Sequence, residues 1–169
     1  CLLSAKPVAA KIITEKSMNK TLFAVAMLTI TANSWAQVVS KSYWGDKAIG
    51  SHDTVAYHDK AVIAAHKEVK GDERFIVKYS GANWYFASQE SANKFKQDPA
   101  KYKPMFNGYC ANALSLGEGL VPTDGTVWEF FGDQLYLFYA QGGRLRWLQG
   151  DWQSYRLQAD KAWLALKDG

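Results

Sequence analysis

The pattern of apolar and polar positions singles out the stretch from Phe75 to Leu114, which contains two strand-like runs and a short amphipathic segment. Residues 75–79 and 84–87 cluster β-branched and aromatic side chains, as β-strands do. Residues 80–83 between them read Ser-Gly-Ala-Asn, a composition that suits a tight reversal. This pattern predicts an antiparallel hairpin around which the rest of the chain is organised.

A short amphipathic helix is predicted directly after this hairpin. Ser88 can cap its first turn with the side-chain hydroxyl. Ala92 and Phe95, three residues apart, form one apolar stripe. Asp98 followed by Pro99 is a second start signal, because proline at the first helical position gives up no hydrogen bond. We therefore expect one further helical turn.

The downstream segments predict a small-residue helix, a second hairpin and two C-terminal helices. Residues 107–117 are rich in small side chains and end at glycine. Residues 126–131 and 134–139 flank a Gly-Asp reversal. From Leu145 onward apolar residues recur at near-helical spacing, with a break near Gly150. No internal repeat is apparent. The predicted fold class is α+β, a small antiparallel sheet of hairpins with short helices packed on it.

Residues 18–36 have the composition of a secretory signal peptide, with a basic start, an apolar run and small residues before a predicted cleavage after Ala36. The apolar run is shorter than the roughly 20 residues that span a bilayer. We therefore expect a periplasmic or secreted protein with no permanent membrane anchor. Residues 1–17 precede Met18 and are expected to be translated upstream sequence or a misassigned start. Residues 37–169 are then a single domain.

The charge of the chain argues against a nucleic-acid partner. The formal net charge is +4, but residues 1–36 carry four lysines against one glutamate, so cleavage lowers it to about +1. The remaining lysines alternate with acids and form no basic stripe. The mature chain of about 130 residues is long enough for one real hydrophobic core.

Cysteine and histidine carry most of the candidate chemistry. Of the two cysteines, Cys1 lies in the predicted upstream segment, so Cys110 has no partner for an internal disulfide. We expect Cys110 to be buried as a small hydrophobe, the alternative being a soft metal ligand or a reactive thiol. The three histidines, His52, His58 and His66, lie close together, but their spacing matches no closed zinc site.

A short strand is predicted over residues 55–58, where side-chain character alternates after a loop that contains Asp53. Asp53 can cap a turn, and Tyr57 can bury its ring while its hydroxyl finds a backbone partner. The alternative is that both point with Cys110 into one cleft and set the polarity of a ligand-binding site.

A set of motif residues runs through these elements, from about Ile49 to Leu164. Its members are Asp53, Val55, Ala56 and Tyr57; Tyr79, Gly81, Trp84, Phe86, Ala87 and Ser88; Phe95, Asp98, Pro99, Tyr102 and Pro104; and Gly108, Tyr109, Cys110 and Ala111. In this respect the chain resembles the YHS-domain family, in its exported single-domain form. The resemblance implies a compact α+β domain and a link to heavy-metal or copper handling.

The first functional hypothesis is binding of a soft transition metal such as copper. Its ligands would be the Cys110 thiolate with one or more of His52, His58, His66 and Met105, because copper accepts thiolate, imidazole and thioether donors. The alternative is a protein-interaction or small-ligand-binding module without metal, which uses an aromatic-lined cleft between the two hairpins. We do not expect an enzyme, since the chain offers no better nucleophile and base than Cys110 with a histidine.

Overall fold

A computed structural model describes residues 38–42 and 45–168, which belong to one compact unit. The predicted upstream segment and signal peptide, residues 1–36, lie outside the described residues. Within the described ranges, no helix is long and apolar enough to cross a membrane.

The described elements are short helices and two hairpins, which confirms the predicted α+β class. In chain order they are α1 (Lys60–Ala65), β1 (Asp72–Tyr79), β2 (Ala82–Phe86), α2 (Gln89–Gln97), α3 (Pro99–Tyr102), α4 (Ala111–Ser115), β3 (Val127–Phe131), β4 (Gln134–Phe138), α5 (Gln141–Gln149) and α6 (Trp152–Asp168). The 3-10 turns Ile49–Ser51 and Ala56–His58 precede α1, and the 3-10 turn Met105–Gly108 lies between α3 and α4. β1 pairs with β2 and β3 pairs with β4, both antiparallel.

The first hairpin and the helix after it form as predicted. Ser88 Oγ accepts the backbone N–H of Ser91 at 3.1 Å and caps α2. Ala92 and Phe95 are the buried residues of that helix. Asp98 Oδ1 accepts the N–H of Lys101 at 3.1 Å and starts α3. Local capping and the apolar stripe were therefore sufficient to predict this part of the fold.

The strand predicted over residues 55–58 is wrong, because this segment forms the 3-10 turn Ala56–His58. Val55 has helical φ and ψ angles of −71° and −45°. Asp53 Oδ1 accepts the N–H groups of both Val55 and Ala56 at 2.9 Å. A side-chain acceptor that takes two successive N–H groups turns the backbone instead of extending it.

The helix predicted over residues 107–117 is shorter than expected. Phe106 and Asn107 have positive φ angles of 55° and 51°, which cannot continue a right-handed helix. α4 therefore begins after Cys110. In the C-terminal part, the second hairpin and the break near Gly150 are confirmed.

The two hairpins and the helices that follow them form a structural repeat with a constant spacing of 52 residues. The cross-strand pairs of β1 and β2 recur in β3 and β4, so that Tyr79 corresponds to Phe131. α2 and α5 are both 9 residues long, and α5 begins 52 residues after the start of α2. We call residues 49–102 the first repeat and residues 106–154 the second repeat. This repeat is structural and was not apparent from the sequence.

Each repeat has its own aromatic core, centred on one helical residue. Phe95 of α2 and Trp147 of α5 are fully buried, and they occupy corresponding positions. The rings around Phe95 are Tyr79, Trp84 and Phe86, at centroid distances of 5.6, 4.8 and 5.0 Å, and those around Trp147 are their counterparts Phe131, Tyr136 and Phe138, at 5.4, 5.4 and 5.6 Å. The ring types differ between the repeats, while the packing plan is shared.

We predict that Phe95→Ala and Trp147→Ala each lower the free energy of unfolding by about 3–5 kcal/mol, because each leaves a cavity inside a ring of aromatics. Urea unfolding measures this loss. Tyr139→Ala is the control, since Tyr139 is 70% exposed, and it should change stability by less than about 0.5 kcal/mol. A loss at Phe95 as small as the loss at Tyr139 would contradict the assigned core.

Candidate functional site

Both repeats open with a left-handed turn that places the next side chain. Ile49, Gly50 and Ser51 have φ angles of 52°, 56° and 67°. The corresponding residues of the second repeat, from Phe106 to Gly108, have φ angles of 55°, 51° and 86°. In this part of the chain the repeats are 57 residues apart, because the second one has a shorter connection to its hairpin. A Cβ at Gly50 would also collide with the backbone of Asp124, so glycine is required there.

Asp53, which follows the first left-handed turn, is a buried hydrogen-bonding centre. Its Oδ1 accepts the N–H groups of Val55 and Ala56 at 2.9 Å, and its Oδ2 accepts the N–H of Ala87 at 2.8 Å. Its own N–H donates to the carbonyl of Val69 at 2.8 Å. The carboxylate therefore joins the 3-10 turn Ala56–His58 to the end of β2.

Cys110 is the counterpart of Asp53 in the second repeat. Its N–H donates to the carbonyl of Val121 at 2.9 Å. Its Sγ accepts the N–H groups of Ala113 at 3.5 Å and Tyr139 at 3.3 Å. These three partners correspond to Val69, Ala56 and Ala87 around Asp53. Cys110 is 3% exposed, which confirms its predicted burial.

A cavity of about 600 Å³ lies between the 3-10 turn Ala56–His58 and α2. Its walls mix polar and apolar side chains. The residues that line it are Asp53, Val55, Ala56, His58, Asp59, Val62, Ala87, Ser88, Glu90, Ser91, Lys94, Lys101 and Tyr102. The volume is typical of small-molecule sites, and we take this cavity as the candidate functional site.

His58 is a cavity residue with unused hydrogen-bonding capacity. Its ring lies edge-on between Tyr102 and Phe130, at centroid distances of 5.2 and 4.9 Å. Its Nε2 is buried and has no hydrogen-bond partner among the described residues. Burial, and secondly the charge of Lys101, lower the pKa of His58 to about 4. The imidazole is therefore neutral at pH 7, and can accept or donate at Nε2 according to its tautomer.

The carboxylates of the cavity wall already have partners. Glu90 forms an ion pair with Lys94 at 2.7 Å, one turn further along α2. Asp59 Oδ1 caps α1 by accepting the N–H groups of Ala61 and Val62. Lys101 Nζ lies 5.1 Å from the ring centroid of Tyr102. The cavity wall thus carries both signs of charge.

The other predicted metal ligands have separate surroundings. His52 is buried, and its two ring nitrogens lie 3.2 Å from the carbonyl of Ile49 and 3.0 Å from Glu68. His66 stacks on Trp128 at 4.4 Å. Met105 packs against the second core and lines a smaller cavity of about 230 Å³.

No group of three or more His, Cys, Asp or Glu side chains is arranged to hold a metal ion in the part of the chain that the structure describes. His58 lines the large cavity, whereas Cys110 binds backbone N–H groups elsewhere. Copper coordination by these residues together with His52, His66 and Met105 stays a prediction.

Tyr57 makes the contacts that its predicted structural role requires. Its hydroxyl donates to the carbonyl of Gly125 at 2.7 Å, and its ring stacks on Trp128 at 4.6 Å. Burial raises the pKa of Tyr57, which keeps this hydroxyl protonated. Of Asp53, Tyr57 and Cys110, only Asp53 lines the cavity. The three side chains therefore share no cleft among the described pockets.

The comparison with known protein families concerns the central segment of the chain. The family model of the YHS domain matches residues 64–105. The chain contains a YHS domain. The match includes β1, β2, α2 and α3, and so most of the aromatic core around Phe95. No curated protein and no solved structure matches the chain.

The YHS domain supplies one wall of the cavity, and the segment before it supplies the other. Ser88, Lys94 and Tyr102 lie within the matched residues, whereas Asp53 and His58 precede them. Sequence reasoning missed Ser88, Lys94 and Tyr102 as site residues, because each has an ordinary local role in capping, pairing or packing. Only the turn at Asp53 brings them opposite His58.

We predict that Asp53→Asn lowers the free energy of unfolding by about 1–3 kcal/mol, because the amide nitrogen would face the N–H of Ala87 and leave a buried donor unpaired. Asp59→Asn is the matched control. Asp59 caps an exposed turn, and asparagine caps as well as aspartate, so the loss there should be a few tenths of a kcal/mol. Equal losses in urea unfolding would refute the special role of Asp53.

The depressed pKa of His58 predicts a pH dependence of stability. Between pH 6.5 and about 4 the unfolded chain binds a proton at His58 that the folded protein does not. Stability therefore falls as the pH is lowered through this window and is fully present above it. The variant His58→Gln lacks the imidazole, so its urea-unfolding midpoint should change less with pH over this range than that of the wild type. Parallel pH profiles for the two proteins would exclude a neutral His58.

Proposed function

We propose that this YHS-domain protein binds a small organic ligand in the cavity beside His58. The observation that carries the proposal is a neutral imidazole whose buried Nε2 has no partner, in a cavity of about 600 Å³. A buried polar atom without a partner is costly unless a ligand or water satisfies it. A ligand group at this position would remove that cost.

The cavity walls support selective binding of a small molecule. Val55, Val62 and Tyr102 supply apolar surface, and the hydroxyls of Ser88 and Ser91 add hydrogen-bonding groups at the start of α2. Small-ligand sites obtain specificity from a few polar groups placed on a largely preformed wall. The 3-10 turn held by Asp53 and the capped start of α2 make this wall rigid before binding.

Copper binding is the competing proposal. It is supported by the link of the YHS family to metal handling and by the neutral imidazole of His58, a donor that copper accepts. The absence of a third donor group near it within the described residues makes it the weaker proposal. We also propose that the protein acts by binding, outside the cytoplasm, and not by catalysis.

We predict that copper(I), copper(II) and zinc(II), each at saturating concentration, leave Tm unchanged, since only a ligand of the folded state raises it. By contrast, at least one compound of a set comprising acetate, phosphate, methylammonium, methylguanidinium and imidazole should shift the amide resonances of cavity residues in an NMR titration. A metal-induced rise in Tm that Cys110→Ala abolishes would favour the copper proposal instead.

A matched pair of variants locates the binding. Ser91 lines the cavity and Asn93 is exposed on the same helix. Ser91→Phe should fill the cavity and abolish the shifts, while Asn93→Phe should keep them. If no compound of the set shifts any cavity resonance, the small-ligand proposal fails.

A further inference from the structure

The second repeat contains a filled version of the cavity. Arg146 of α5 extends into the corresponding space between α5 and α4. Its guanidinium donates to Asn112 Oδ1 at 2.8 Å and to Ser115 Oγ at 3.0 Å. Its carbon Cζ lies 3.7 Å from the ring centroid of Tyr155. The space is therefore occupied by a planar cation that has hydrogen-bond acceptors and an aromatic face.

The same positions in the first repeat lack this occupant. By the spacings of 52 and 57 residues, Arg146 corresponds to Lys94, and Ser115 corresponds to His58. Lys94 is drawn into its ion pair with Glu90 at 2.7 Å. His58 is thus the counterpart of the acceptor residue Ser115, and its Nε2 has no partner among the described residues. The group that fills the second repeat is thus missing from the first.

The walls of the filled space in the second repeat lie close together. Gly143 is the counterpart of Ser91, and a Cβ at Gly143 would lie only 2.9 Å from the Cβ of Asn112. Glycine at this position allows α5 to approach α4. Ser91 carries a side chain, and Val55, the counterpart of Asn112, has no polar group to draw the walls together. The first repeat therefore keeps an open cavity.

The open cavity of the first repeat is lined by more carboxylates than the corresponding filled space of the second repeat. Three lining positions that are neutral in the second repeat carry carboxylates in the first. The pairs are Cys110 and Asp53, Leu116 and Asp59, and Gly142 and Glu90. Lys101 opposes this change, but three carboxylates face two lysines, which leaves a net negative wall. Electrostatics thus favours a cation, with Tyr102 as an aromatic wall.

We propose that the ligand of this cavity is a small organic cation that carries a guanidinium group, placed where Arg146 lies in the second repeat. The inference rests on the proposed function and names its ligand class. The guanidinium N–H groups donate to His58 Nε2, in the tautomer with the proton on Nδ1, and to the carboxylates of Glu90 and Asp59. A planar donor suits these acceptors better than a compact ammonium.

The direct test is an NMR titration of the full chain with methylguanidinium chloride, against sodium chloride at equal ionic strength and sodium acetate. Methylguanidinium should shift the amides of Ser91, Lys94 and Tyr102 saturably, and acetate should not. The variant Val55→Asn/His58→Ser/Lys94→Arg copies the filled repeat. Its apparent Kd for methylguanidinium should rise roughly tenfold or more, because the introduced side chain occupies the cavity.

A second arm tests the assignment in the filled repeat. Arg146→Ala should lower Tm by opening the corresponding space, and methylguanidinium should restore part of the loss, whereas sodium chloride should not. Arg156→Ala is the control, since Arg156 is part of an exposed pair with Asp160 at 3.6 Å on α6, and its Tm should respond equally to both salts.

The outcomes separate the two levels of the proposal. Binding of acetate without methylguanidinium in the cavity would overturn the cation class and leave a small-ligand site. Methylguanidinium shifts that persist unchanged in the triple variant would place the binding elsewhere and overturn the inference. No cavity shift with any compound of the larger set would overturn the proposed function as well.

Discussion

Three backbone N–H groups converge on the carboxylate of Asp53, and the position of the candidate site depends on them. Two of the three come from the turn that follows Asp53, and the third comes from Ala87 at the end of β2. Because the carboxylate is buried, losing any of these bonds would leave a polar group unpaired. The requirement to satisfy all three holds His58 opposite α2 and leaves a space between them.

The second repeat meets the same requirement with a different side chain. Cys110 accepts two of the corresponding N–H groups, those of Ala113 and Tyr139, through Sγ, so a sulfur atom takes the place of the carboxylate oxygens. The aromatic cores around Phe95 and Trp147 likewise share a plan while differing in ring type. One scaffold thus occurs twice, with the space next to the turn filled by Arg146 in one copy and open in the other.

The YHS domain match covers residues 64–105, but the site extends beyond it. The segment before the match contributes the turn and His58, and the domain contributes the helix wall with Lys94. Neither part encloses a cavity alone. The ligand chemistry depends on their junction, where a neutral imidazole lies among three carboxylates and two lysines.

The sequence alone predicted the α+β class, both hairpins, the caps at Ser88 and Asp98 and the burial of Cys110, because these follow from contacts within a few residues. It gave the wrong structure for residues 55–58, since the alternation there is overridden by the side chain of Asp53. It did not reveal the repeat, because corresponding positions share packing roles and few identical residues. Only the tertiary structure joined His58 to α2, since that contact depends on the long-range hydrogen bond between Asp53 and Ala87.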